Sequence, residues 1–231
     1  MVATRLDQLD SVVDGIIELN PTPRKVRWSS ISLCILDAVW SISADYDKVV
    51  VPLVRRFAAA GDIDPPLIPA TSVPASDPGP ASRLEAWNEA DLISLTNKQR
   101  TSTRGGVTKA RAAIEYARIL SSHGVDTLAD ASAVLDDSNR LALIEEELSR
   151  VKGDGQNGIR RGYLWMLVGD DNRIKPDRMI LRWFARQGID ATPALATAYI
   201  KSAAPEVTNR LGRRVTPWEI DHAIWSAVRA A

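Results

Sequence analysis

Apolar residues recur every three or four positions along most of this chain, and that spacing makes the helix the expected element almost throughout. Ile31, Cys34, Ile35, Ala38, Val39 and Ile42 form one such stripe, preceded by the capping residues Ser29 and Ser30. Val107, Ala110, Ile114, Ala117 and Leu120 form a second, which stops at Gly124. Leu141, Ile144 and Leu148 mark a third. Tyr163, Met166 and Leu167 mark a fourth that ends at Gly169, and Met179, Ile180, Trp183 and Phe184 a fifth that ends at Gly188. Pro217 opens a last helix through Trp218, Ala223, Ile224 and Trp225. Period-two alternation is limited to a short piece at Val49–Val51, which Pro52 weakens as a strand. The expected class is all-α.

The segment Gly61 to Pro80 interrupts this pattern, with six of the thirteen prolines in the chain. It cannot be a helix interior. Residues 61–82 read as a proline-rich loop within one helical fold, because Met1 to Ala60 alone is small for an independent core. No apolar run reaches the roughly 18 residues of a membrane span. The N-terminus lacks the basic start and apolar centre of a signal peptide, so a soluble cytoplasmic protein without a membrane partner is expected. The one cysteine, Cys34, allows no intramolecular disulfide and no cysteine-ligated iron–sulfur cluster.

Formal net charge is zero, but the charges fall in blocks. Asn97 to Arg118 holds six basic residues and one acid, and Arg150 to Arg186 holds nine basic residues and four acids. Between them, Ser121 to Ser149 holds seven acids and Arg140 alone. Such a chain presents a positive face to a polyanion while remaining neutral in total; ordinary solvated helix surfaces give the same count.

Gly153-Asp154-Gly155-Gln156-Asn157-Gly158 matches G-x-G-x-x-G, yet a charged helix rather than a β-strand precedes it, which argues against a dinucleotide fold. The reading the residues favour is a helix-hairpin-helix. Glycines one residue apart let the backbone turn sharply and expose its N–H groups at the start of the next helix, a cup for a phosphate. Lys152, Gly153, Gly155, Gln156, Gly158 and Arg160 are the candidate phosphate-binding residues, joined by Arg104 from the loop Thr101 to Gly106. About twenty residues on, Asp177 stands at a helix N-cap in Lys175-Pro176-Asp177-Arg178. An ionised carboxylate held there suits a developing sugar cation, as in cleavage of an N-glycosidic bond, and can orient a water.

This order of glycine hairpin, short helix, loop and Pro-Asp resembles the helix-hairpin-helix/Gly-Pro-Asp superfamily of base-excision DNA glycosylases, which includes endonuclease III-like and alkyladenine-type enzymes. The resemblance covers roughly Ser29 to Arg186, with Ser30 to Phe57 like the first barrel helix and the turn that approaches DNA, and Asn97 to Leu120 like the helix before the acidic segment. It implies two helical subdomains with a DNA cleft between them, approximately 30–170 with the hairpin at 151–158, and 1–29 plus 171–231. It implies that Asp177 is catalytic. Bifunctional members carry a lysine just after the second hairpin glycine; Gln156 or Asn157 stands here, so the resemblance implies a monofunctional enzyme without lyase activity. It also implies a candidate monovalent cation site, K+ or Na+, on the hairpin backbone 151–156, and no other cofactor.

Such an enzyme flips its base and fills the gap. Ile42 and Arg104 are candidate wedges, and Trp28, Asp37, Trp40, Tyr163 and Trp165 candidate pocket residues, although each aromatic and Ile42 serve equally as core. Asp221 and His222 are adjacent on a helix and point about 100° apart, so they make no dyad. The expected function is excision of a damaged or modified base from double-stranded DNA by a monomer, in repair of alkylated bases or in defence against hypermodified phage DNA. The alternatives are a non-catalytic helix-hairpin-helix DNA-binding module and a helical adaptor.

Overall fold

Among the described residues twelve helices, six of them on the apolar stripes read from the sequence, make up most of a computed structural model that describes residues 5–72, 74, 76–155 and 158–230, with side chains from residue 8 onwards. In chain order they are α1 (Arg5–Glu18), α2 (Ile31–Trp40), α3 (Val51–Ala60), α4 (Ala81–Glu85), α5 (Glu89–Leu95), α6 (Lys109–Ser122), α7 (Leu128–Leu135), α8 (Ser138–Ser149), α9 (Ile159–Val168), α10 (Arg178–Arg186), α11 (Pro193–Leu211) and α12 (Pro217–Ala230). No helix among the described residues is long and apolar enough to cross a membrane. The chain divides into two compact units. A central unit is continuous, Lys25–Gly169, and a terminal unit combines Met1–Arg24 with Asp170–Ala231.

The central unit is built on α2. Ser30 caps it by accepting from the Leu33 backbone N–H, and all ten of its residues are buried. A helix buried all round must be covered on every side, and α3, α4, α6 and α9 pack against it. Burying each large aliphatic side chain stabilises the fold by roughly 1.5–3 kcal/mol. Val49–Val51 is not a strand. Asp45 caps a π-helical turn, Tyr46–Val50, which runs straight into α3 with Pro52 in its first turn, where a missing N–H costs nothing.

The proline-rich segment 61–80 is an ordered excursion. Leu67–Pro69 pairs antiparallel with Val26–Trp28, a short two-stranded ribbon that the apolar spacing did not announce. Beyond it, the Asp77 carboxylate accepts backbone N–H groups from Ile31, Leu128 and Gly79 at 2.9–3.0 Å. One side chain therefore satisfies the first turns of α2 and α7 together. Burial pushes the Asp77 carboxyl up, and these three donors pull it back.

The terminal unit has its own core, in which Val12, Val13 and Ile16 of α1 join Ile180, Trp183 and Phe184 of α10 and Ile220 and Ile224 of α12. Its longest helix, α11, opens at Thr192-Pro193, a cap followed by proline at the first helical position, and carries Pro205 inside. On α12, His222 stacks between Trp218 (centroids 4.9 Å) and Trp225 (6.4 Å), while Arg24 lies 4.0 Å over Trp218 and Arg229 4.6 Å over Trp225.

Candidate functional site

In the central unit, Gly153, Gly155 and Gly158 all take positive φ, at 90°, 88° and 72°, so the chain between α8 and α9 turns as only glycine does readily. Two other loops meet it. A Cβ on Gly153 would stand 2.2 Å from Thr101 Cβ, so the hairpin presses directly on the loop 101–106. A Cβ on Gly155 would lie 3.8 Å from Ile42 Cδ1, which brings in the turn after α2. Lys109 ties these parts together from beneath. Its ammonium donates to the carbonyls of Trp40 (2.9 Å) and Ile42 (2.7 Å) and to Gln99 Oε1 (3.2 Å), a cation closing the C-terminal end of α2. Lys109 is therefore internal, and the basic block 97–118 presents fewer charges than its count. Arg111 pairs with Glu115 and Arg118 with Glu85, leaving Lys98 and Arg104 exposed beside Arg100, which donates to the Gly106 carbonyl.

The hairpin is organised by Asp154. Its carboxylate accepts from the Tyr116 hydroxyl (3.0 Å) and from Arg161 Nε (2.8 Å), and its carbonyl accepts from the Arg160 N–H (3.0 Å). Arg160 corrects the sequence expectation. It is fully buried rather than set out toward a phosphate, with Nη1 donating to the Lys152 carbonyl (3.3 Å) and its guanidinium 5.8 Å over the Tyr116 ring. Burial lowers its pKa while Tyr116 and Asp154 oppose that shift, and the Tyr116 hydroxyl is pushed well up by its own burial and by Asp154. Arg160 braces the hairpin from within. Lys152 and Gly155 are exposed and Gly153 and Gly158 half-buried; Gln156 and Asn157 lie outside the described residues, as does that part of the cation site at 151–156.

The pocket and wedge candidates separate. Trp40 and Trp165 are wholly enclosed in the core, and Trp40 Nε1 donates to Asn97 Oδ1 (3.0 Å), which corrects their reading as open walls of a base pocket. Asp37 is also fully buried, which likewise corrects its reading as an open pocket residue. Its Oδ2 accepts from Trp28 Nε1 (2.7 Å) and from the Tyr46 hydroxyl (2.8 Å), and Tyr46 is further hydrogen-bonded to Tyr163. Trp28 is nearly buried, Tyr163 half-buried. The sequence missed Tyr46, whose hydroxyl burial and Asp37 drive upward in pKa. Ile42 sits half-buried on the turn beside the hairpin, off the core stripe.

In the terminal unit, Asp177 caps α10, with Oδ1 accepting from the N–H groups of Met179 (2.7 Å) and Ile180 (3.4 Å). Oδ2 takes no hydrogen bond among the described residues. The turn before it is held by Asp221, buried on α12, which accepts the Lys175 N–H at 2.9 Å. Burial, with the negative charge of Asp177 adding, pushes the Asp221 carboxyl up to about 8, against the Lys175 N–H and ammonium. Asp221 and His222 do point apart, the one inward and the other into the tryptophan stack. No spacing in the chain connects Asp221 with Asp177; only the packing of α12 on α10 does.

Residues 7–229 match a family described as a domain of unknown function, DUF8548. The chain belongs to this family. The match spans both units, so the DUF8548 domain includes the hairpin and Asp177 alike. No curated protein and no solved structure matches the chain.

Proposed function

We propose that this DUF8548 protein is a monofunctional DNA glycosylase that flips a damaged or modified base from double-stranded DNA and hydrolyses its N-glycosidic bond. The observation that carries the reading is the three-loop edge of the central unit. There, positive-φ glycines, Ile42 and the Arg104 loop converge, with Lys152 and Arg104 exposed. An exposed glycine turn with the cations Lys152 and Arg104 at this edge suits a phosphodiester, which they would position without reading sequence. Ile42 is favoured as the wedge, because it lies on a turn at that edge, with Arg104 the other candidate. Asp177 would supply the carboxylate for the sugar cation and for the attacking water, one oxygen capping α10 and the other left for chemistry.

The test is incubation with a panel of DNA duplexes bearing alkylated or hypermodified bases, followed by alkali. Breaks that appear only after alkali support the reading, breaks without alkali contradict the absence of lyase activity, and intact strands across the panel leave the second reading. That reading, a non-catalytic helix-hairpin-helix DNA-binding module, draws on the fact that the Asp177 hydrogen bonds are those of an ordinary cap.

A further inference from the structure

Four of the nine basic residues of the block Arg150 to Arg186 are committed within the fold. Arg150 pairs with Glu146, Arg161 with Asp154 and Arg173 with Asp170, and Arg160 is buried. Three that are not stand on one helix. Arg178, Arg182 and Arg186 of α10 are exposed, and none has an ion-pair or hydrogen-bond partner among the described residues. Four-residue spacing keeps them on one face, advancing about 6 Å along the axis at each step. The opposite face buries Ile180, Trp183 and Phe184, which fixes the orientation of the arginine row toward solvent.

The helix dipole accounts for Arg186, in the last turn of α10, but not for Arg178 or for the row as a whole. Like charges at i, i+4 repel, and Arg178 sits in the first turn, at the positive end of the helix dipole. A helix under no other demand would carry acids there. Arginine, with its planar fork of donors, is the side chain suited to phosphate oxygens.

We infer that the Arg178–Arg182–Arg186 face of α10 is a second nucleic-acid contact surface, in the terminal unit, that binds the phosphodiester backbone of a DNA duplex. The inference rests on the DNA-binding part of the proposed function and is independent of catalysis. The row starts at the residue after Asp177, so a backbone held along it runs beside that carboxylate.

The experiment measures binding of a short fluorescein-labelled DNA duplex of unmodified sequence between about 50 and 200 mM salt. It compares the whole chain with the triple variant Arg178→Gln, Arg182→Gln, Arg186→Gln. Each phosphate contact contributes about 0.9 to the slope of log affinity against log salt, so losing three makes it shallower by about 3. A triple lysine variant, which keeps the charge, retains most of the slope. Thermal melting of both variants checks folding, and the three single substitutions, each shallower by about 1, replace the triple if it melts early. A folded glutamine variant with the slope and affinity of the parent overturns the inference while leaving the hairpin reading standing. A parent chain with no salt-dependent affinity for the duplex overturns both.

Discussion

A carboxylate that caps a helix is chemically useful only if one of its oxygens remains for another task, and Asp177 meets that condition because Oδ1 alone makes the cap. Asp177→Asn keeps the cap, since asparagine caps as well as aspartate. Under the proposed function, the expected outcome is a base-excision rate lower by on the order of 10²–10⁴-fold with unchanged melting and DNA affinity, and equal rates would remove Asp177 from the chemistry. Asp221 behaves in the opposite sense. Its folded pKa stands near 8, above the ordinary 3.8 of an unfolded aspartate, so the native state holds an extra proton between those values. Stability from this group is then complete below about pH 4 and is lost as pH rises toward 8. Asp221→Asn mimics the protonated form and accepts the Lys175 N–H through its amide oxygen. The variant should melt higher than the parent at alkaline pH and near the parent at acidic pH; identical pH–melting curves would exclude the assignment. Gly153→Ala combines a φ of 90° with an approach of 2.2 Å to Thr101 Cβ. A loss of about 1–3 kcal/mol in denaturant unfolding is expected.

At the scale of elements, helices were legible where period and cap coincide. The stripes at Ile31–Ile42, Val107–Leu120 and Met179–Phe184 became α2, α6 and α10, with Ser30, Thr108 and Asp177 as caps. α11 was not read from the sequence, because small residues such as Ala194, Ala196 and Ala198 blur its apolar face; only its start, Thr192 as cap with Pro193 behind it, carries a local signal. The strands at Val26–Trp28 and Leu67–Pro69 were not readable, because three residues are too few to show a period and their pairing spans about forty residues. Asp77 shows how a loop residue governs elements distant in sequence. Asp77→Ala removes the acceptor shared by α2, α7 and Gly79, and a fall in unfolding free energy of about 1–4 kcal/mol is expected, read by chemical denaturation. A loss near zero would mean that water takes over those N–H groups.

At the scale of the whole molecule, the two units differ in continuity. Residues 25–169 form one unbroken stretch with a large core of their own, from Trp28 to Val168, whereas the terminal unit requires both chain ends. Residues 25–169 expressed alone should unfold cooperatively with the helical circular dichroism of the central unit. A non-cooperative transition would show that this core depends on the rest of the chain.

The amino-acid sequence by itself determined the helical class, the glycine turn and the carboxylate cap, because helix period, left-handed backbone and N-capping are set by residues within a few positions of one another. Tertiary structure alone decided what each charge does. Lys109 and Arg160 became internal braces, Trp40 and Trp165 became core, Asp221 came under the turn of Asp177, and the α10 arginines were left uncommitted. The reason is that burial and ion pairing depend on partners brought near by packing, as Lys109 and Trp40 are across 69 positions of chain.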